Sequence, residues 1–175
     1  MSQLELKIEP LTAESFAPYG FVIGAKDARP DFVNTTGTRG WEYPFKGGQL
    51  RMFLLETAPR ALIFDKLEKH TELSQVFMPA GGSSAVLLVA RAPDEQSLPD
   101  KDDVRAFLLD GQVGYGLHPH TWHSLDRLPL DPHPTRWLML TDDRTHNDLP
   151  YVSTGTAQYT KEFDTVVQWG VQLTV

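Results

Sequence analysis

Short apolar runs broken by turn residues dominate the chain. Residues 21–23, 50–55, 61–64 and 85–90 are rich in aliphatic or aromatic side chains, too short for ordinary helices, and separated by Gly, Pro or polar residues, which predicts strands. The run from 61 continues toward His70, and another over 74–78 is stopped by Pro79, Gly81 and Gly82. Residues 85–90 are apolar on both faces and predict a strand buried on both sides; 113–117 and 137–140 read as further strands. At the tail, Val167, Trp169, Val171, Leu173 and Val175 alternate with Gln168, Gly170, Gln172 and Thr174, the pattern of a strand with one apolar face. Helical signals are few. Thr12 reads as the N-cap of one or two turns over 13–17, stopped before Pro18. Asp100 reads as the cap of a second helix, in which Val104, Phe107 and Leu108 form an i, i+3, i+4 stripe and Gly111 supplies the stop. Between 24 and 48 the signals are mixed, with turns marked by Asn34, Gly37 and Gly40.

Many short strands and one or two short helices predict a mainly β barrel or sandwich, with room in its mouth for one small ligand. The 13 Gly and 13 Pro agree, since both are costly inside helices. At 175 residues, without repeat or linker, the chain is expected to be one domain over 1–175, the proline-dense 129–134 being a loop within it. The absence of cysteine excludes disulfides, thiolate metal sites and a cysteine nucleophile. A formal charge of −7 argues against nucleic acid as a partner, because phosphate neutralisation needs a cationic surface. No apolar run approaches the roughly 20 residues of a membrane helix. The opening residues, with Glu5, Lys7 and Glu9 among their apolar neighbours, lack the run of a secretion signal. A cytoplasmic protein without a membrane partner is therefore expected.

The six histidines are unevenly spread: His118, His120 and His123 fall together, with His70 upstream and His133 and His146 downstream. Neutral imidazoles are the commonest metal ligands and general bases. Glu68 and His70 lie two apart, so an extended strand turns both to one face. Gln75 follows a reversal over 71–73, close enough to return on a neighbouring strand. His118 and His123 have opposite parity, so both reach one pocket only where Pro119 sits in a turn that resets the pleat. A carboxylate, two imidazoles and an amide oxygen are borderline-hard donors, suited to an octahedral Mn, Co, Ni, Fe or Zn site. On these residues alone the simpler account is a strand-edge glutamate and a hydrogen-bonded core histidine. Gly81-Gly82-Ser83 lacks the further glycines of a phosphate loop, and no Gly-x-Ser-x-Gly elbow occurs. The tryptophans Trp41, Trp122, Trp137 and Trp169 are more often core than ligand platforms in a small β domain.

Leu67-Glu68-Lys69-His70, followed by Ser74-Gln75-Val76-Phe77-Met78-Pro79, resembles the signature stretch of the ureidoglycolate lyases, also called ureidoglycolate hydrolases, of the cupin superfamily. The resemblance runs on through 86–89, Arg105-Ala106-Phe107 and 113–123, where His118, Trp122 and His123 stand at family positions. Leu11-Thr12, Phe16-Ala17-Pro18-Tyr19-Gly20 and Asp143-Arg144 extend it over nearly the whole chain. It implies a single-domain cupin-type β-barrel (jelly roll), usually a homodimer, that releases urea from ureidoglycolate and leaves glyoxylate, late in allantoin breakdown. It also implies a divalent metal (Mn, Ni, Co, Fe or Zn) on Glu68, His70, Gln75 and His123. His118 would then be base or orienting group, Trp122 and Gln75 substrate contacts, and Arg144 the partner of the substrate carboxylate. The chain departs from the family pattern in places. Ser124 stands where a second histidine usually follows, Leu117 where tyrosine is usual, and Glu56 near a position often held by arginine, while His120 and His133 have no family counterpart. These departures bear on substrate contacts more than on fold. Two readings from other classes stay open: a non-enzymatic small-ligand-binding cupin and a metal-dependent cupin oxygenase.

Overall fold

Every side chain from Ala85 to Ala90 is fully buried, and the computed structural model, which describes residues 2–24, 29–82 and 84–175, shows why. Ala85–Ala90 is the central strand of a sheet, with Arg105–Leu109 antiparallel on one side and Trp122–Ser124 and Leu128–Pro129 on the other. Lys66–His70 and then Thr160–Asp164 continue the sheet beyond Trp122–Ser124, and Ile8–Pro10 adds in parallel outside Arg105–Leu109. A second, wholly antiparallel sheet runs in the order Gly20–Ile23, Gly114–Leu117, Gln75–Gly82, Thr135–Asp142, Leu50–Thr57. Between the two sheets Leu87, Val89, Phe107 and Leu109 meet Val22, Phe77, Tyr115, Leu117 and Trp137. On the opposite face of the first sheet, Leu67, Val86, Leu88, Ala106, Trp122 and Leu128 pack with Phe64 and Leu173. Those last two belong to a third layer, in which Val171–Thr174 lies between Ser2–Glu5 and Ile63–Phe64. Two-sided burial is thus what the continuous aliphatic run encodes, and each such side chain contributes about 1.5–3 kcal/mol.

This is the mainly β, cupin-type fold with few short helices that was expected. It is built as facing sheets that end in edge strands; none closes into a ring among the described residues. No helix among them is long and apolar enough to cross a membrane.

Three local expectations are corrected. Asp100 does cap a helix, but only the 3-10 turn Lys101–Asp103; Arg105–Leu109 is a strand. The apparent helical stripe is a short apolar run covered on both faces, which carries no usable period. The tail is a helix, Thr165–Trp169, followed by the strand Val171–Thr174. Asp164 caps that helix by accepting from Val166 N and Val167 N, and Gly170 ends it at φ 73°. These two local signals outweigh the alternation, and Val167 is left 85% exposed. The strand Gln75–Gly82 passes through Pro79 instead of stopping there. The missing N–H is tolerated because the pairing with Thr135–Asp142 shifts register between Thr135 and Trp137, whose partners are Gly82 and Pro79. The mixed stretch 24–48 includes 25–28, which lie outside the described residues; its described part is largely irregular apart from the ribbon Phe32–Val33 with Arg39–Gly40.

Gly20 is the tightest point between the opening helix and the second sheet, since a Cβ there would overlap the carbonyl oxygen of Gly116 and press on the Phe16 ring. The neighbouring Tyr19 carbonyl accepts from His118 N (2.9 Å) and Thr121 Oγ1 (2.8 Å), tying this corner to the turn that precedes His123. Gly20→Ala should cost about 1–3 kcal/mol, as overpacking against backbone does. A calorimetric melting point lowered by roughly 2–4 °C per kcal/mol would show it, and an unchanged one would contradict the packing.

Candidate active site

Alternation along Lys66–His70 sends Leu67 to the outer core and Lys69 against the Trp122 ring (4.7 Å), while Glu68 and His70 turn inward between the sheets. His123 stands directly opposite Glu68 in the antiparallel register, so the two side chains share a face. Trp122, one residue earlier, faces the other way and packs edge-on against Phe163. Gln75 opens the strand Gln75–Gly82 of the facing sheet and brings its Nε2 to 3.2 Å from His70 Nε2.

Around Glu68 Oε1, His123 Nε2 lies at 3.4 Å and His70 Nε2 at 3.9 Å. Glu68, His70 and His123 thereby form a group able to hold a metal ion, each offering one ligand atom and all of these within 4.8 Å of one another. Their outer hydrogen bonds dictate the tautomers. His123 Nδ1 is 3.1 Å from the Thr121 carbonyl, which can only accept, so Nδ1 carries the proton and Nε2 a lone pair. His70 Nδ1 is 3.1 Å from Thr160 Oγ1. With the Gln75 amide donating to its Nε2, His70 too is protonated on Nδ1. With both imidazoles neutral, the form that binds metal, two lone pairs face one carboxylate, and His123 Nε2 has no hydrogen-bond partner among the described residues. A cation among these three groups would relieve that repulsion, and Nδ1–H groups bound to oxygen are what orient metal-bound imidazoles. The donor set fits a divalent metal.

Protonation agrees. Burial is the strongest influence on the Glu68 carboxyl and pushes it up, but the neighbouring His123, His70 and Arg127 side chains together outweigh it and hold it at about 2. Burial is the strongest influence on His70 and lowers it to about 4 against the pull of Glu68. At neutral pH Glu68 is ionised and His70 neutral, the states that ligation requires. The His70 contact depends on Asp148, whose carboxylate accepts from the backbone N–H of Gln158, Tyr159 and Thr160 (2.7, 2.6 and 2.7 Å) and pins the start of Thr160–Asp164.

A cavity of about 270 Å³ opens over the cluster, just below the roughly 300–1,000 Å³ of small-molecule pockets. Glu68, His70 and Gln75 line it together with Arg127, Thr141 and His146, and Phe53, Leu55, Leu125 and Met139 give it an apolar wall. Other residues expected at the site sit elsewhere. Pro119 does lie in a turn, but the turn carries the chain from one sheet to the other, and of the two histidines flanking it only His123 enters the cluster. The His118 ring packs 6.0 Å from that of Phe21 and does not line the cavity. Arg144 is held by the buried Asp142 carboxylate (Nη2 to Oδ2, 3.1 Å) and approaches Glu72 at 4.0 Å; like Trp122 it is not part of the cavity wall. His120 faces Glu95 at 3.5 Å, and His133 is exposed. Sequence reasoning assigned no role to Arg127, Thr141 or His146. Of the three, only His146 stood out in the sequence, as one of the six histidines; neither Arg127 nor Thr141 carries a local signal.

Facing β-sheets with a buried two-histidine, one-carboxylate centre beneath a small cavity define a small-ligand cupin. A sequence model described as ureidoglycolate lyase matches residues 3–160, and the chain belongs to that family. It is 32% identical over 127 residues to a ureidoglycolate lyase of Pseudomonas savastanoi pv. phaseolicola, covering 68% of this chain and 73% of that protein. A ureidoglycolate lyase of Pseudomonas paraeruginosa is 34% identical over 126 residues (67% and 73% covered). One from Stutzerimonas stutzeri is 32% identical over 126 residues (67% and 72%).

The cluster makes a direct prediction. Added at about one hundred times its dissociation constant, Mn(II) or Ni(II) should stabilise the protein by about 2.7 kcal/mol, seen as a higher melting temperature. His123→Ala should abolish both that rise and metal retention after dialysis, whereas His118→Ala should keep both. Equal metal content in the two variants would refute the cluster as the binding centre.

Proposed function

We propose that the protein is a ureidoglycolate lyase that splits ureidoglycolate into glyoxylate and urea. The observation that carries this reading is the inward-facing Glu68, His70 and His123 cluster, two imidazoles around one ionised carboxylate at the edge of a small, partly open cavity. Family membership supports the lyase over a ligand-binding or oxygenase role.

In ureidoglycolate one carbon bears a hydroxyl, a carboxylate and a urea nitrogen. Removal of the hydroxyl proton with protonation of that nitrogen breaks the C–N bond and forms the aldehyde of glyoxylate; no water is consumed and no electron is transferred to an acceptor. Glu68, His70, Gln75 and His123 would hold a divalent metal (Mn, Ni, Co, Fe or Zn), which when bound supplies the Lewis acidity that lowers the hydroxyl pKa. Gln75 would take the fourth position with its amide turned so that Oε1, which is buried without a hydrogen-bond partner among the described residues, replaces Nε2 on the side of His70. His146 is the imidazole of the cavity wall outside the cluster, and it takes the proton-carrying role expected of His118. Moving the proton from hydroxyl to nitrogen is its task, while Phe53, Leu55 and Met139 keep bulk water from the reacting carbon.

The same reading carries a single domain over 1–175, a cytoplasmic location, a small-molecule partner in place of nucleic acid or membrane, and a homodimer. The edge strand Leu50–Thr57 supports the dimer, because Leu50, Met52 and Leu54 are 55%, 67% and 65% exposed along one side of it.

Urea and glyoxylate should appear in equal amounts when the protein is given ureidoglycolate, fall after treatment with a chelator, and recover on reloading with metal. His146→Gln should lower kcat by about 10²-fold or more, as loss of a general acid–base does, while His118→Ala leaves turnover near that of the parent. No urea from the metal-loaded protein would overturn the reading, and the reverse ranking of the two variants would overturn the role of His146.

A further inference from the structure

We infer that Arg127 is the anchor for the carboxylate of the small acid held in this cavity, the acid's identity as ureidoglycolate resting on the function proposed above. Arg127 is 4% exposed. Its guanidinium lies 3.7 Å from the centre of the Phe77 ring, its Nε donates to Tyr115 Oη at 2.6 Å, and its Nη1 donates to the Leu125 carbonyl at 2.9 Å. All three partners are neutral. Nη2 has no hydrogen-bond partner, and no carboxylate lies within ion-pair distance of the group among the described residues. A buried charge is costly unless it is paired, so a permanent cation in such a place points to an anion that arrives from outside.

The surroundings agree on where that anion sits. Arg127 lines the same cavity as Glu68, His70 and Gln75. Two further residues of the cavity wall, Gln75 and Thr141, each carry a side-chain oxygen (Oε1 and Oγ1) that is buried without a hydrogen-bond partner among the described residues. Unsatisfied buried polar atoms are few in folded proteins, and their concentration around one cavity marks a place where a polar ligand completes the bonding. Two contacts of the guanidinium fix its plane, leaving Nη2 as the donor for a carboxylate oxygen, with the Thr141 hydroxyl as a second donor. Arg144, the carboxylate partner expected from sequence, already has its charge matched by Asp142. Beside the metal-ligand cluster, a cation 4% exposed selects an acid whose carboxylate and hydroxyl sit on adjacent carbons, because such an acid can reach both groups at once.

Glycolate and its uncharged amide, glycolamide, test this by isothermal titration calorimetry on the metal-loaded protein. They share the hydroxyl and differ in the charge that Arg127 would read, and neither can release urea. The parent protein should bind glycolate at least about tenfold more tightly, the worth of a charge-assisted hydrogen bond. Arg127→Gln should bring that ratio close to one with glycolamide affinity kept, and Arg144→Gln should leave it at the parent value. Arg127→Lys, which keeps the charge but loses the planar fork, should fall between them and carries the test if the glutamine variant does not fold. A parent-like ratio in both Arg127 variants, no preference in the parent, or loss of preference in Arg144→Gln alone would overturn the inference. Glycolate selectivity with no urea release would leave Arg127 as an anion anchor and reject only the lyase reading.

Discussion

The antiparallel register that sets His123 opposite Glu68 is the constraint on which the site depends. A slip of one residue would turn His123 toward the outer core and bring Trp122 or Ser124 against the carboxylate, because side chains alternate faces along a strand. That register is held by burial on both sides. Val89 pairs with His123, and Ala90 with Trp122, so the strand carrying the imidazole is locked to the most buried strand of the protein. The Trp122 ring, filling the outer layer against Phe163, weighs against any slip by the area it would lose. Stability and chemistry therefore share strands but not faces: Leu67, Lys69 and Trp122 hold the sheet, while Glu68, His70 and His123 meet on its other side.

A buried cluster of two imidazoles and a carboxylate does not stabilise a fold by itself. Desolvation of Glu68 opposes its ionisation, and its polar neighbours, among them the permanent cation Arg127, together overcome that opposition. The positive end of this balance, Arg127, lines the same cavity as Glu68 but makes no direct ion pair with a carboxylate among the described residues. The result is a pocket with its polar groups in place and their bonding incomplete, the condition in which a ligand binds without the protein first having to reorganise. Asp148 shows how far the preparation extends, since it orders the backbone that presents Thr160 Oγ1 to His70.

Much of this was legible in the chain, for identifiable reasons. Glu68 and His70 are two residues apart in a strand whose hydrophobic pattern is plain, so their common face follows from the pleat alone. The return of Gln75 followed from the short reversal before it. His123 could be placed only through the family resemblance, because its parity relative to His118 depends on a turn whose geometry no local pattern specifies. Arg105–Leu109 was misread for the same reason that Ala85–Ala90 was read well. Both are covered on two faces and lack alternation, but the second is purely aliphatic and the first happens to space Val104, Phe107 and Leu108 like a helix. At the tail the error was one of weighting, with a five-residue alternation set above an aspartate cap and a glycine stop.

Arg127 was beyond reach of such reasoning. Its burial is created by Phe77 and Tyr115, both on strands of the second sheet and stacked on each other at 5.0 Å, and no spacing within 122–130 announces that they will close over it. Arg144, by contrast, looked available because it stands in a family-like Asp-Arg pair; yet that adjacency places it beside Asp142, which neutralises it and caps the helix Asp143–Asp148 at the same time. A cation's usefulness to a ligand depends on what else can satisfy it. In this protein the arginine with a charged partner serves the fold, and the one packed only against neutral groups is left with a bond to give.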